Sequence, residues 1–164
     1  MYHCPACRKY SIMPNGIQNA QHLIVGQQPY YDDLRVGLPF TGSIGGFLAY
    51  ELARVGIQLQ RCRLVTLYPH LDASYECSQT HLSNIFLPEI KIPRQCILMI
   101  GNDLSTIMGE KHTVKELSGL VRDTIPLLGI KQKVVYVNDV HGFMRGQLGE
   151  FRFALQNFRG VNNE

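Results

Sequence analysis

HLIVGQQPYYDDLRVGLPFTGSIGGFLAYEL, from His22 to Leu52, places a short apolar run, a long polar loop and an amphipathic segment in immediate succession. A brief apolar run bounded by turn residues suits a buried strand better than a helix, so His22 to Val25 reads as a strand that Gly26 and Pro29 stop. Beyond a loop shaped by Gly37, Pro39 and Gly42, the residues Ile44, Phe47, Leu48, Leu52 and Val55 recur at helical spacing, with Gly42 and Ser43 as the cap. A helix that starts where a strand ends offers its free N–H groups to an anion.

The pattern repeats along the chain. Leu64 to Leu67 reads as a second strand, ended by Tyr68-Pro69-His70. Cys77 to about Leu87 reads as a helix with Leu82, Ile85 and Phe86 inward, closed by Pro88. Gln95 to Ile100 and Lys133 to Val137 read as third and fourth strands. Between them, Val114 to Leu128 reads as a lid or connection interrupted at Pro126. A final helix turns Met144, Leu148, Phe151, Leu155 and Phe158 toward the core. Alternating strands and helices predict an α/β domain, a three-layer α/β/α sandwich around a central, mainly parallel four-stranded sheet.

The 164 residues suit one domain, 1–164, able to bury a core without staples. No apolar run approaches a membrane span, and the polar, Cys-bearing start MYHCPACRKY does not resemble a secretory signal, so a cytoplasmic setting without a membrane partner is expected. A net charge of +3 is compatible with nucleic acid but too small to suggest it unaided. Five cysteines in a reducing compartment argue against a disulfide framework. Cys4-Pro-Ala-Cys7 has the spacing that lets two thiolates reach one metal from a tight turn. Cys96, inside QCILMIG, reads as a core residue.

Read without gaps, the opening stretch resembles the motif of the iron-sulfur uracil-DNA glycosylases, G-E-x-P-G, four loosely defined residues, then G-x-P-F-x-G-x-A-G-x-L-L. Gly26, Pro29, Gly37, Pro39, Phe40, Gly42, Gly45 and Leu48 fall in register. Its start, GQQPYY, is similar to the G-Q-D-P-Y-H of the branch that carries no cluster. After the fourth strand, His141, Phe143, Met144 and Arg145 resemble the second motif, T-Y-H-P-x-Y-L-L-R, with Gly142 where the family has Pro.

The resemblance implies a hydrolase that releases uracil or another unusual base flipped out of DNA. Phe40 would stack on the base, with Gly26, Gln28 and Thr66 around it; His141 would stabilise the departing base; Gln27 and Asp33 would position water; and Gly42, Ser43 and Arg145 would meet DNA phosphates. Two departures bear on the chemistry. The family's acids fall on Gln27 and Gln28, and the Asn that reads uracil falls on Thr66. An amide can hydrogen-bond a water but not take its proton, and a thousandfold loss of rate equals about 4 kcal/mol. These changes favour an alternative, a catalytically inactive DNA- or protein-binding subunit of a larger assembly.

The family's [4Fe-4S] cluster uses such an N-terminal Cys pair and two later cysteines. Cys77 matches the last. The third falls on His70, with Cys62 the nearest thiol and hence its alternative. Cys4, Cys7, His70 and Cys77 would suit either a cluster or a tetrahedral structural zinc.

Overall fold

The computed structural model describes residues 2–144, 146 and 148–160. Four strands lie parallel at the centre of one sheet: β2 (His22–Gly26), β3 (Arg63–Thr66), β4 (Cys96–Ile100) and β6 (Ile130–Val137). The sheet has six strands rather than the four expected, because β1 (Asn15–Gly16) and β5 (Val121–Ile125) add antiparallel edges in the order β1-β3-β2-β4-β6-β5. Neither edge is legible in sequence. β1 is two residues long, and β5 has a single buried side chain, so neither shows an apolar alternation. The segment read as a lid is β5, running into the turn Pro126–Leu128, with the short helix α6 (Val114–Leu117) ahead of it.

Central strands are apolar on both faces, as a sheet covered from both sides requires. Ile24, Leu64, Leu98 and Val135 point to one side, where α2 (Gly42–Arg54), α7 (Val140–Met144) and α8 (Leu148–Arg159) supply Leu48, Leu52, Phe143, Phe151 and Leu155. Leu23, Val65, Ile97 and Tyr136 point to the other. There they meet Phe86, Ile90, Leu104 and Val114 from α4 (Leu87–Ile90), α5 (Leu104–Ile107), α6 and the segment before α4. Two cores separated by a sheet make the three layers. Met144, expected inward, is 43% exposed.

The helix expected from Cys77 begins earlier and ends later. Ser74 caps α3 (Tyr75–His81) by accepting the Cys77 N–H, and a π-helical stretch, Leu82–Phe86, carries the chain into α4 past Pro88. A proline has no N–H to place in an α ladder, and the wider winding just before it absorbs that loss. The long polar loop after β2 also contains a helix, α1 (Tyr31–Val36), closed by Gly37 in the left-handed conformation at φ 83°.

One topological consequence positions the site. The connection after β2 leaves through α2 to one face, and that after neighbouring β4 leaves through α5 to the other. Adjacent strands whose connections part in this way leave a crevice at their carboxyl ends, where ligands of open α/β sheets bind.

Candidate active site and metal centre

Three loops meet at that crevice: Gln27 to Tyr30 after β2, Asn102 and Asp103 after β4, and Asp139 to His141 after β6. Two cavities open there. One, about 130 Å³, is bordered by Gln27, Gln28, Tyr30, Asn102, Asp103 and Asp139. The other, about 290 Å³, lies between Tyr30, Ser43, Asp139 and His141.

Phe40 is 4% exposed, and the tip of its ring abuts Gly26, where a Cβ would come within 3.0 Å of it. Its backbone is left-handed at φ 56°, a conformation that costs a non-glycine residue about 1–3 kcal/mol and is imposed here by the turn into α2. That turn is tight enough that a Cβ at Gly45 would collide with the Phe40 carbonyl oxygen. Phe40 is not among the residues that line either cavity. The Tyr30 ring lies near both motif residues, its centroid 6.4 Å from Phe40 and 5.3 Å from His141.

Tyr30 is held in place by its hydroxyl, which donates to Asp139 Oδ1 at 3.0 Å. Burial, and then the charge of Asp139, pushes the Tyr30 phenol well above its ordinary range, so the donor keeps its proton at neutral pH. The same Asp139 oxygen accepts the His141 backbone N–H at 3.2 Å, while the Asp139 N–H donates to Asn102 Oδ1 at 3.1 Å. His141 itself is exposed at the rim. Asp139 was not among the expected site residues. Its signal was its place two residues before His141 at a strand end.

Gln27 reaches across the crevice. Its Nε2 donates to Asp103 Oδ2 at 3.0 Å and its Oε1 accepts the Asp103 N–H at 2.9 Å. Gly101 makes room for this, since a Cβ there would lie 2.5 Å from the Gln27 side chain. Gln28 is exposed and borders both cavities.

Several expected residues do other work. Asp33 is 1% exposed and accepts hydrogen bonds from the N–H groups of Tyr30 and Thr41 and from the Thr41 hydroxyl, at 3.0, 2.7 and 2.8 Å. Both its oxygens are committed to shaping the loop, so it does not reach the crevice to position water. Thr66 is buried and donates to the Tyr68 carbonyl at 2.7 Å, turned into the strand end rather than toward a base. Gly42 has φ 64° and packs against Asp32, which brings a carboxylate to the mouth of α2 beside Ser43. Arg145 lies outside the described residues.

The four residues expected to hold a metal come together as a set that could bind one. The ligand atoms of Cys4, Cys7, His70 and Cys77 all lie within 4.8 Å of one another, with Cys7 Sγ 3.2 Å from His70 Nε2. His70 Nδ1 lies 2.8 Å from the Leu71 carbonyl, which assigns the ring proton to Nδ1 and leaves Nε2 free to bind a metal. The Ser74 hydroxyl, and then the neighbouring Cys7, Cys4 and His70 side chains, pull the Cys77 thiol down to about 6 against the effect of burial. A thiolate is the form that ligates. The N-terminal segment is brought there by Ile12, whose N–H donates to the Pro69 carbonyl at 2.9 Å. Cys62 is not part of the set: it is buried among the α2-side core residues with its thiol near the Gln58 carbonyl. Cys96 is core, as expected.

A crevice at the carboxyl ends of a parallel sheet, bordered by carboxylates, amides and aromatic rings, gives the chain the architecture of a doubly wound α/β protein, the class that binds ligands at such a crevice. Residues 13–149 match the family model described as Uracil DNA glycosylase superfamily, and the chain belongs to that superfamily. No curated protein matches it. No helix among the described residues is long and apolar enough to cross a membrane.

Proposed function

We propose that this protein, acting as one domain, hydrolyses the N-glycosidic bond of uracil or another unusual base flipped out of DNA. The observation that carries this reading is that Phe40 and His141 both pack near the Tyr30 ring. A base that displaces the Tyr30 ring would therefore lie between the stacking surface and the group suited to the leaving base. His141 donates a hydrogen bond to the base oxygen on which charge develops as the bond breaks. Phe40 receives the base face once Tyr30 yields.

A surface cavity of about 510 Å³ beside the metal centre, bordered by His3, Arg8, Lys9 and Tyr10, shares Leu71 with the larger active-site cavity. It offers the flanking DNA strand two cations for phosphates and a His3–Tyr10 ring pair, 4.6 Å apart, for a base. The metal centre holds this lobe to the domain. We read the metal as zinc, since tetrahedral bonds of about 2.3 Å put ligand atoms roughly 3.8 Å apart. A cluster interposes several irons and sulfides and spreads its ligands further. Bound zinc supplies structure, tying Cys4 and Cys7 to His70 and Cys77.

The second reading, a subunit that binds without cleaving, is favoured by the amides at Gln27 and Gln28. Assaying release of uracil, hypoxanthine, xanthine and hydroxymethyluracil from oligonucleotides, with His141→Ala as control, separates the two. Release that survives His141→Ala refutes the site assignment, and tight DNA binding without any release supports the second reading.

A further inference from the structure

Taking the glycosylase reading as its basis, we propose that Asp103 is the carboxylate that activates water, and that Gln27 is the residue that positions it. Asp103 follows β4 and Gln27 follows β2, the two neighbouring strands whose connections part to opposite faces of the sheet. Asp103 therefore stands at the centre of the crevice, between the loop of Gln27 and the loop of His141. It borders the smaller cavity, whose volume of about 130 Å³ accommodates a water among polar partners.

The hydrogen bonds specify the roles. The Asp103 N–H donates to Gln27 Oε1, which fixes the amide so that Nε2 faces the Asp103 carboxylate. Only Oδ2 of Asp103 is engaged in this way; Oδ1 accepts no hydrogen bond among the described residues. The other carboxylate at the cavity, Asp139, already receives the Tyr30 hydroxyl and the His141 N–H on one oxygen and serves to hold those groups. The amide at position 27 thereby acquires a reason. A glutamate there would set a second negative charge against Asp103 at hydrogen-bond distance, whereas glutamine donates. The acid has moved to the adjacent strand end, and the amide orients it.

In the step itself, water oxygen forms its bond to the sugar C1′ as the C1′–N bond breaks, and the water proton passes to Asp103. The electron pair of the broken bond leaves with the base, whose oxygen accepts a hydrogen bond from His141. Asp103 then returns its proton to solvent and the base anion takes one up from solvent, leaving an abasic site and free base.

Single-turnover base release and DNA affinity, measured on the full chain with its metal, test this. Asp103→Asn should lower the rate about 100-fold or more with DNA affinity and melting temperature unchanged. Gln27→Glu should also lower it, by restoring a carboxylate where it repels Asp103. The exchanged pair, Gln27→Glu with Asp103→Asn, should recover most of the rate, since one acid and one amide again face each other. Asp103→Asn at the wild-type rate, or Gln27→Glu faster than wild type, overturns the assignment while leaving the glycosylase reading intact. A wild-type chain that releases none of the bases overturns both.

Discussion

The Tyr30 hydroxyl donates to Asp139 across 109 positions of sequence, at 3.0 Å, and so fastens the loop after β2 to the loop after β6. The bond ties together the two loops that resemble the superfamily's motifs, close to the rim where His141 stands. Tyr30→Phe should cost about 1 kcal/mol in urea unfolding, the net worth of one hydrogen bond. Asp139→Ala should cost more, about 1–3 kcal/mol, because it strands a mostly buried phenol. A double-mutant cycle checks that the two effects share one interaction.

Stability should fall on the alkaline side. Burial, the largest effect on each, raises the phenols of Tyr30 and Tyr136 above their ordinary value. An unfolded tyrosine ionises at about pH 10. Above that pH the unfolded chain has lost protons that the native chain keeps, so unfolding becomes easier as pH rises. Urea midpoints measured from about pH 8 upward should drop beyond about pH 10, and Tyr30→Phe should remove part of the drop.

Purified protein should carry one zinc per chain and show no absorbance band at about 400 nm, where an iron-sulfur chromophore is expected. Cys77→Ser or a strong chelator should release the metal, lower the melting temperature and open residues 2–11 to protease, because the folding energy of such a lobe is largely its metal-binding energy. A brown protein containing iron refutes the zinc assignment.

Arg8→Ala with Lys9→Ala should weaken DNA binding about equally for all sequences and reduce the salt slope by roughly two, one for each phosphate that is no longer neutralised. The metal content should stay at wild type. An unchanged slope would place the flanking strand elsewhere.

Glu89→Ala should be among the most damaging substitutions. Glu89 receives the Arg63 guanidinium at 2.6 and 3.0 Å and the fully buried Arg94 side chain at 3.2 Å. Removing it leaves Arg94 buried without its counter-charge, at a cost of about 3–5 kcal/mol by thermal or urea unfolding.

Much of this arrangement is written in the order of residues. The four parallel strands are legible because a strand buried on both faces must be largely apolar, and HLIV, LVTL, CILMI and KVVYV are short, mostly apolar runs ended by turns. The grouping of Cys4, Cys7, His70 and Cys77 is legible because Cys4 and Cys7 have metal-ligand spacing and because the family resemblance points to His70 and Cys77 as their partners. What sequence could not supply is which polar groups meet. Gln27 and Asp103 are separated by 76 positions, and the hydrogen bonds between them exist only because β2 and β4 lie side by side in register. Asp33 shows the converse. As a loop carboxylate its sequence neighbourhood suits a site residue, yet Tyr30 takes one of its oxygens and Thr41 the other. A hydrophobic pattern is a local property that burial averages over many residues, so it can be read along the chain. A hydrogen bond depends on a few tenths of an ångström between distant segments, which is fixed only when the sheet, its crossovers and its turns are assembled together.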